Sequence, residues 1–172
     1  MTSLQEIKNF IGDKSILIIA SGEKTTEVEA GVVVRMNYGI QDPCDIWVDG
    51  MMYLPKWYNK KRNILPPTLP KHIVRLDWYA RNMEELPGYL QPKDDFKEAC
   101  KALDMERPST GMQTLYWFKK HFPDNEKIIT GYNGSVDRYT KDLVFRADVA
   151  HDKAKERQQL QEWIGDEIFR AV

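Results

Sequence analysis

The sequence predicts an α/β fold, with a mostly parallel sheet flanked by helices in a single domain over residues 1–172. Three observations carry this. Ser15 to Ala20 (S-I-L-I-I-A) is an unbroken apolar run, as expected of a strand covered on both faces. Gly31 to Met36 (G-V-V-V-R-M) is a second, β-branched run. Helical periodicity then alternates with further short strands, and such alternation is the signature of a layered parallel sheet.

The elements follow in order. Lys8 to Gly12 closes a short helix at a glycine. Ser21-Gly22 breaks the first strand, and Glu23 to Ala30 fits a short helix or a turn. The second strand ends at Asn37-Tyr38-Gly39. Asp45 to Val48 is a third strand, stopped by Asp49-Gly50. A helix fits Met51 to about Lys60, and Asn63 to Pro70 (N-I-L-P-P-T-L-P) reads as a surface loop. His72 to Leu76 is a fourth strand, and Asp94 to Leu103 has helical periodicity. Thr110 to Phe122 is the clearest helix of the chain. Lys127 to Thr130 adds a strand ended by Gly131, and Ala150 to Val172 reads as one long amphipathic helix with Leu160, Trp163, Ile164 and Ile168 on a stripe.

Composition narrows the function classes. Hydrophobic residues make up 42% and charged residues 30%, as in an ordinary soluble globular protein. A net charge of −1 argues against a general nucleic-acid binder. No apolar run approaches the ~20 residues of a membrane span, and the polar start M-T-S-L-Q-E-I-K is no signal peptide. Cys44 and Cys100 are expected to be reduced thiols, in keeping with a cytoplasmic location. His72, His121 and His151 have no metal-ligand spacing and no D-x-D occurs, so no metal is expected.

In parallel sheets ligands bind in the crevice beyond the carboxyl ends of the strands. Ser21-Gly22, Asn37, Asp49 and Gly131 all follow strands and are placed to line it. Arg107-Pro108-Ser109-Thr110-Gly111 opens the clearest helix, where unpaired backbone N–H groups and the helix dipole suit a phosphate or carboxylate. Taken alone it is equally an ordinary N-cap. Asn37 can read a base, ribose or sugar through its amide, or cap the turn at Tyr38-Gly39. Arg35 alternates with Val34 and Met36, so it faces the other side of the sheet, where an acid can pair with it. His151 is the best candidate for acid–base work because its ordinary pKa lies near neutrality. Glu156, five residues on, is loosely spaced to orient it. His121 reads as a helix C-terminal cation favoured by the dipole, and His72 as a strand-edge residue. Trp57-Tyr58 and Trp78-Tyr79 are core residues or a stacking wall for a base or sugar, and Lys56, Lys60, Lys61 and Arg62 are a solvated face or an attractor of anions.

Together these segments resemble the sialylmotif-containing sialyltransferases, glycosyltransferase family 29, which transfer sialic acid from CMP-sialic acid. Ile16 to Ile40 (I-L-I-I-A-S-G … E-A-G-V-V-V-R-M-N-Y-G-I) resembles the large sialylmotif. Pro108-Ser109-Thr110-Gly111 through Ile128-Ile129-Thr130-Gly131-Tyr132 resembles the small motif, and His151 to Glu156 matches the H-x4-E of the very small motif. The resemblance implies a Rossmann-like, GT-A-variant fold in a compact bacterial or phage version. It assigns donor binding to Ser21, Gly22, Asn37, Ser109, Thr110, Gly111 and Tyr132, and the general base to His151, with Glu156 and Tyr139 in support. The implied reaction is metal-independent and inverting, needs no cofactor, and joins a CMP-activated sugar to a glycan or other hydroxyl acceptor. The first turn is S-G-E-K rather than the family's G-N-G, and the family's His-Tyr motif has no counterpart, with Tyr132, Tyr139 and Lys141 in that region. Two alternatives stay open: a nucleotide or nucleotide-sugar binding protein without transfer, and a phage/host interaction protein that uses its last helix as the contact surface.

Overall fold

The apolar run Ile16–Ile19 forms an interior strand of the sheet, with four described strands on one side of it and two on the other. The computed structural model describes residues 2–20, 28–37, 39, 42–50, 68–76, 88–132 and 152–172. Among them are seven strands: β1 (Ile16–Ile19), β2 (Val32–Met36), β3 (Ile46–Asp49), β4 (His72–Arg75), β5 (Tyr89–Leu90), β6 (Lys127–Thr130) and β7 (Arg170–Ala171). All pair in parallel, in the spatial order β5-β4-β3-β2-β1-β6-β7. The α/β class expected from the sequence is therefore the class observed. The order reverses at the β1/β6 seam, because chain order runs outward from β1 on one side and through β6 to β7 on the other.

Among the described residues four helices accompany the sheet: α1 (Leu4–Ile11), α2 (Lys93–Leu103), α3 (Thr110–His121) and α4 (Lys153–Gly165). Ser3 caps α1 by a reciprocal exchange with Glu6, and Gly12 stops it in a positive-φ conformation that suits glycine. Ile7, Ile11, Leu103, Leu115, Phe118 and Trp163 bring all four helices onto one face of the sheet, against Ile16, Ile18, Val34, Ile46, Val74 and Ile129. The other face carries a smaller apolar cluster of Leu17, Ile19 and Ile128, with Val33 packed on it. Every residue of β1, β3, β4 and β6 is buried, as expected of strands covered on both faces in a parallel sheet.

The end of the chain departs from the sequence reading. The long helix expected over Ala150 to Val172 stops at Gly165, with Asp166 as its cap and Glu167 at φ 58°. The chain then turns, buries Phe169 against Trp163 and adds β7 beside β6. The apolar stripe is thus split, with Trp163 on the helix and Ile168 beyond it. No helix among the described residues is long and apolar enough to cross a membrane. Cys44 and Cys100 are both free thiols.

Two histidines also differ from expectation. His72 is not at an edge: it starts the interior strand β4, is 5% exposed, and lies 4.3 Å from the ring of Phe10 on α1. Among the described residues neither ring nitrogen has a hydrogen-bond partner. Burial, reinforced by Lys71, depresses its pKa against the opposing pull of Glu6 and Asp45. His121 closes α3 with its ring 5.0 Å from that of Trp117, and burial, followed by Lys120, depresses its pKa as well. The core therefore favours the neutral imidazole at a helix end where the dipole alone favours a cation.

A histidine whose folded pKa is depressed contributes stability that is present above the unfolded pKa of about 6.5 and lost as pH falls towards the folded value. Urea midpoints should accordingly fall between pH 7.5 and pH 5. His72→Phe should flatten that fall, since it keeps a ring on Phe10 without a group to protonate. An unchanged slope in the variant would show that His72 does not govern it.

Candidate functional site

The carboxyl ends of the strands are linked to one another by side chains of the residues that end them. Asn37 follows β2 in a left-handed conformation, φ 48°, which asparagine tolerates better than most residues. Its Oδ1 accepts the Gly50 N–H at 3.1 Å, and its backbone carbonyl accepts Trp47 Nε1–H at 2.9 Å. Asn37 thus ties the end of β2 to the end of β3 rather than simply capping its own turn. Among the described residues its Nδ2, which carries two donors, has no partner.

Asp49, expected to line the crevice, is instead the last residue of β3. It is fully buried and ion-paired with Arg75 at 3.4 Å, its register partner on β4. Sequence reasoning did not single out Arg75. The available signal was an arginine inside the apolar run H-I-V-R-L, where only a buried acid makes such a charge tolerable. Arg35 faces the side opposite Val34 and Met36, as expected, and pairs with Asp42 at 3.3 Å.

The start of α3 spans these strand ends. Ser109 is extended at φ −61°, ψ 161°, and its Oγ accepts the Met112 N–H, so it is the N-cap. Gln113 Nε2 donates to the Pro108 carbonyl and Thr114 Oγ1 to the Thr110 carbonyl, which locks the first turn from both sides. On one flank Thr110 lies on Gly50: a Cβ there would stand 2.5 Å from Thr110 Oγ1 and 2.8 Å from its Cβ. On the other flank Gly111 lies on Tyr132, where a Cβ would come 3.1 Å from Cε1. The Tyr132 hydroxyl donates to the Gly111 carbonyl at 3.3 Å. Burial, and then the nearby Glu156 charge, push the pKa of that phenol up, so it stays a donor. Gly131, at φ 77°, makes the turn from β6 that delivers Tyr132.

Glu156 completes the cluster. Its Oε1 accepts the Ser109 N–H at 2.6 Å, so the first turn of α4 is fastened to the start of α3 by a charge-assisted bond that the helix dipole favours. Among the described residues the partner of Glu156 is Ser109; His151, beside which the sequence set it as a loosely spaced orienting partner, lies outside them. Asp152, the N-cap of α4, accepts the Lys155 N–H.

Of the ten residues singled out for the site, Asn37, Ser109, Thr110, Gly111, Tyr132 and Glu156 gather on the carboxyl edge of the sheet. Ser21, Gly22, Tyr139 and His151 lie outside the described residues, as do Lys141, Trp57-Tyr58, Trp78-Tyr79 and the run from Lys56 to Arg62. The amide N–H groups of Thr110 and Gly111 have no partner among the described residues, so the arrangement offers two backbone donors and the Asn37 amide to an oxygen-rich ligand. No cluster of three metal-ligating side chains occurs among the described residues. No protein-family model, curated protein or solved structure matches the chain.

The seat of α3 depends on residue 50 having no side chain. Gly50→Ala should destabilise the protein by about 1–3 kcal/mol through overpacking. Thr110→Ala in the same chain should recover part of the loss by removing the Oγ1 and Cγ2 atoms that crowd the new methyl. Equal stability of wild type and Gly50→Ala in urea unfolding would show that the α3 start is not wedged there.

Proposed function

We propose that the protein is a nucleotide-sugar-dependent glycosyltransferase that binds a CMP-activated, sialic-acid-like donor at the start of α3. One observation carries the reading: two stretches of the chain that resemble separate sialylmotifs meet at one place. Asn37, from the first, and Ser109, Thr110, Gly111 and Tyr132, from the second, gather on the carboxyl edge of the parallel sheet. The donor phosphate would be held by the Thr110 and Gly111 amides, and the nucleoside by the Asn37 amide. Such groups are fixed before the ligand arrives and stabilise charge that develops on a leaving phosphate.

In the transfer itself His151 would take the proton of the acceptor hydroxyl. The acceptor oxygen attacks the anomeric carbon, the bond to the CMP phosphate breaks, and configuration inverts. His151 directly precedes Asp152, the cap of α4, and Glu156 holds α4 against the α3 start. That connection supports bringing the base and the donor site together. A second reading, binding without transfer, is favoured by the same residue: with its carboxylate engaged by Ser109, Glu156 is not committed to orienting a histidine.

Two variants separate these readings. Thr110→Pro removes one amide donor while respecting the fold, because proline is favoured at the first helical position and Ser109 is already extended. Calorimetric titration should show CMP bound about 10-fold or more weakly, the worth of one hydrogen bond to a charged group. Unchanged affinity would remove the phosphate from this helix start. His151→Ala should abolish transfer, by ~10²–10⁴ in rate, with CMP affinity within a few-fold of wild type. Wild-type protein that binds CMP but transfers no sugar to any hydroxyl acceptor would establish the second reading.

A further inference from the structure

Thr130 ends β6 at the β1/β6 seam, where the strand order reverses. Its backbone carbonyl accepts the Ala20 N–H at 2.9 Å, and its register partner is Ile19, so both side chains stand on the same face. That face carries the aliphatic cluster of Leu17, Ile19 and Ile128, with Val33 packed against them and Arg35 beside Ile19 in register. Thr130 is 2% exposed, yet among the described residues its Oγ1 has no hydrogen-bond partner. A hydroxyl left unpaired in a buried position is costly, whereas valine would fill the same space with the same preference for a strand. The residue also lies one position before the Gly131 turn and two before Tyr132, which packs on the start of α3. Carboxyl ends of strands at such a reversal are where parallel sheets receive ligands.

We infer that the Thr130 hydroxyl is a ligand-binding group, donating its hydrogen to an oxygen of the nucleotide bound over the seam. The inference rests on the nucleotide-site reading above and gives a role to a residue that lies within the second motif-like stretch but has none in that reading. The oxygen belongs to the nucleoside or to its phosphate; both present the same acceptor chemistry. Hydrogen bonding to the bound ligand relieves the cost of the buried hydroxyl, so free and bound protein respond oppositely to its removal.

Thr130→Val and Thr130→Ser are compared with wild type by thermal unfolding and by calorimetric titration with CMP and with cytidine. Without ligand, Thr130→Val should melt about 2–4 °C higher, because an unpaired buried hydroxyl has gone. Its affinity for CMP should fall about 10-fold, while Thr130→Ser keeps wild-type affinity. A parallel loss for cytidine assigns the oxygen to the nucleoside, and a loss confined to CMP assigns it to the phosphate; either supports the inference. A lower melting temperature of ligand-free Thr130→Val, or CMP affinity equal to wild type, overturns it while leaving the nucleotide site in place. Wild-type protein that binds neither CMP nor cytidine overturns both.

Discussion

The start of α3 can lie over the ends of the strands only because residue 50 has no side chain. A methyl at that position would overlap Thr110, and interiors at this packing density do not absorb such an intrusion without displacement. Gly50 also gives its N–H to Asn37, so the residue that admits the helix also joins β3 to β2. On the far flank Gly111 plays the equivalent part towards Tyr132. The helix start is therefore gripped between two strand ends on opposite sides of the β1/β6 seam. Its first amides are presented at the carboxyl edge of the sheet.

The remainder of the structure serves that placement. Parallel strands must be covered on both faces, and the helical layer on one of them is continuous from α1 to α4. The far end of α3 is anchored by Lys127, whose buried Nζ donates to the carbonyls of Phe122, Pro123 and Asn125. Those carbonyls fall where a helix ends and its acceptors would otherwise go unpaired. One lysine thus satisfies the turn between α3 and β6 and fixes the register of β6 beside β1. The Glu156 carboxylate does the corresponding work at the other end, across 47 residues of chain. α3 is tied at both ends by charged groups, each with its partner supplied by backbone.

Much of the fold was legible in the sequence because the signals were local. Ile16 to Ile19 and Val32 to Met36 announce strands by unbroken or β-branched apolar character, and Thr110 to His121 announces a helix by its cap and period. β5 and β7 were not legible: two-residue strands have no periodicity, and only the neighbouring edge makes them strands. The end of α4 was misjudged because Gly165 and Asp166 interrupt a stripe that looks continuous when Ile168 is counted with it. The helix-start signature placed the cap and first turn of α3 at Ser109, Thr110 and Gly111, where they stand. The use of Asn37 by Gly50, the Asp49–Arg75 pair and the reach of Glu156 to Ser109 are tertiary facts. No spacing within one segment encodes them.

Binding of a nucleotide at the first amides of α3, as proposed, can be read residue by residue. Uniformly 15N-labelled protein would be titrated with CMP while backbone and side-chain amide resonances are followed. The account predicts that the largest changes fall on the Thr110 and Gly111 N–H groups and on the Asn37 side-chain amide, with the Ser109 N–H, held by Glu156, moving less. Saturating changes confined to other parts of the sheet, with Thr110 and Gly111 unmoved, would contradict it.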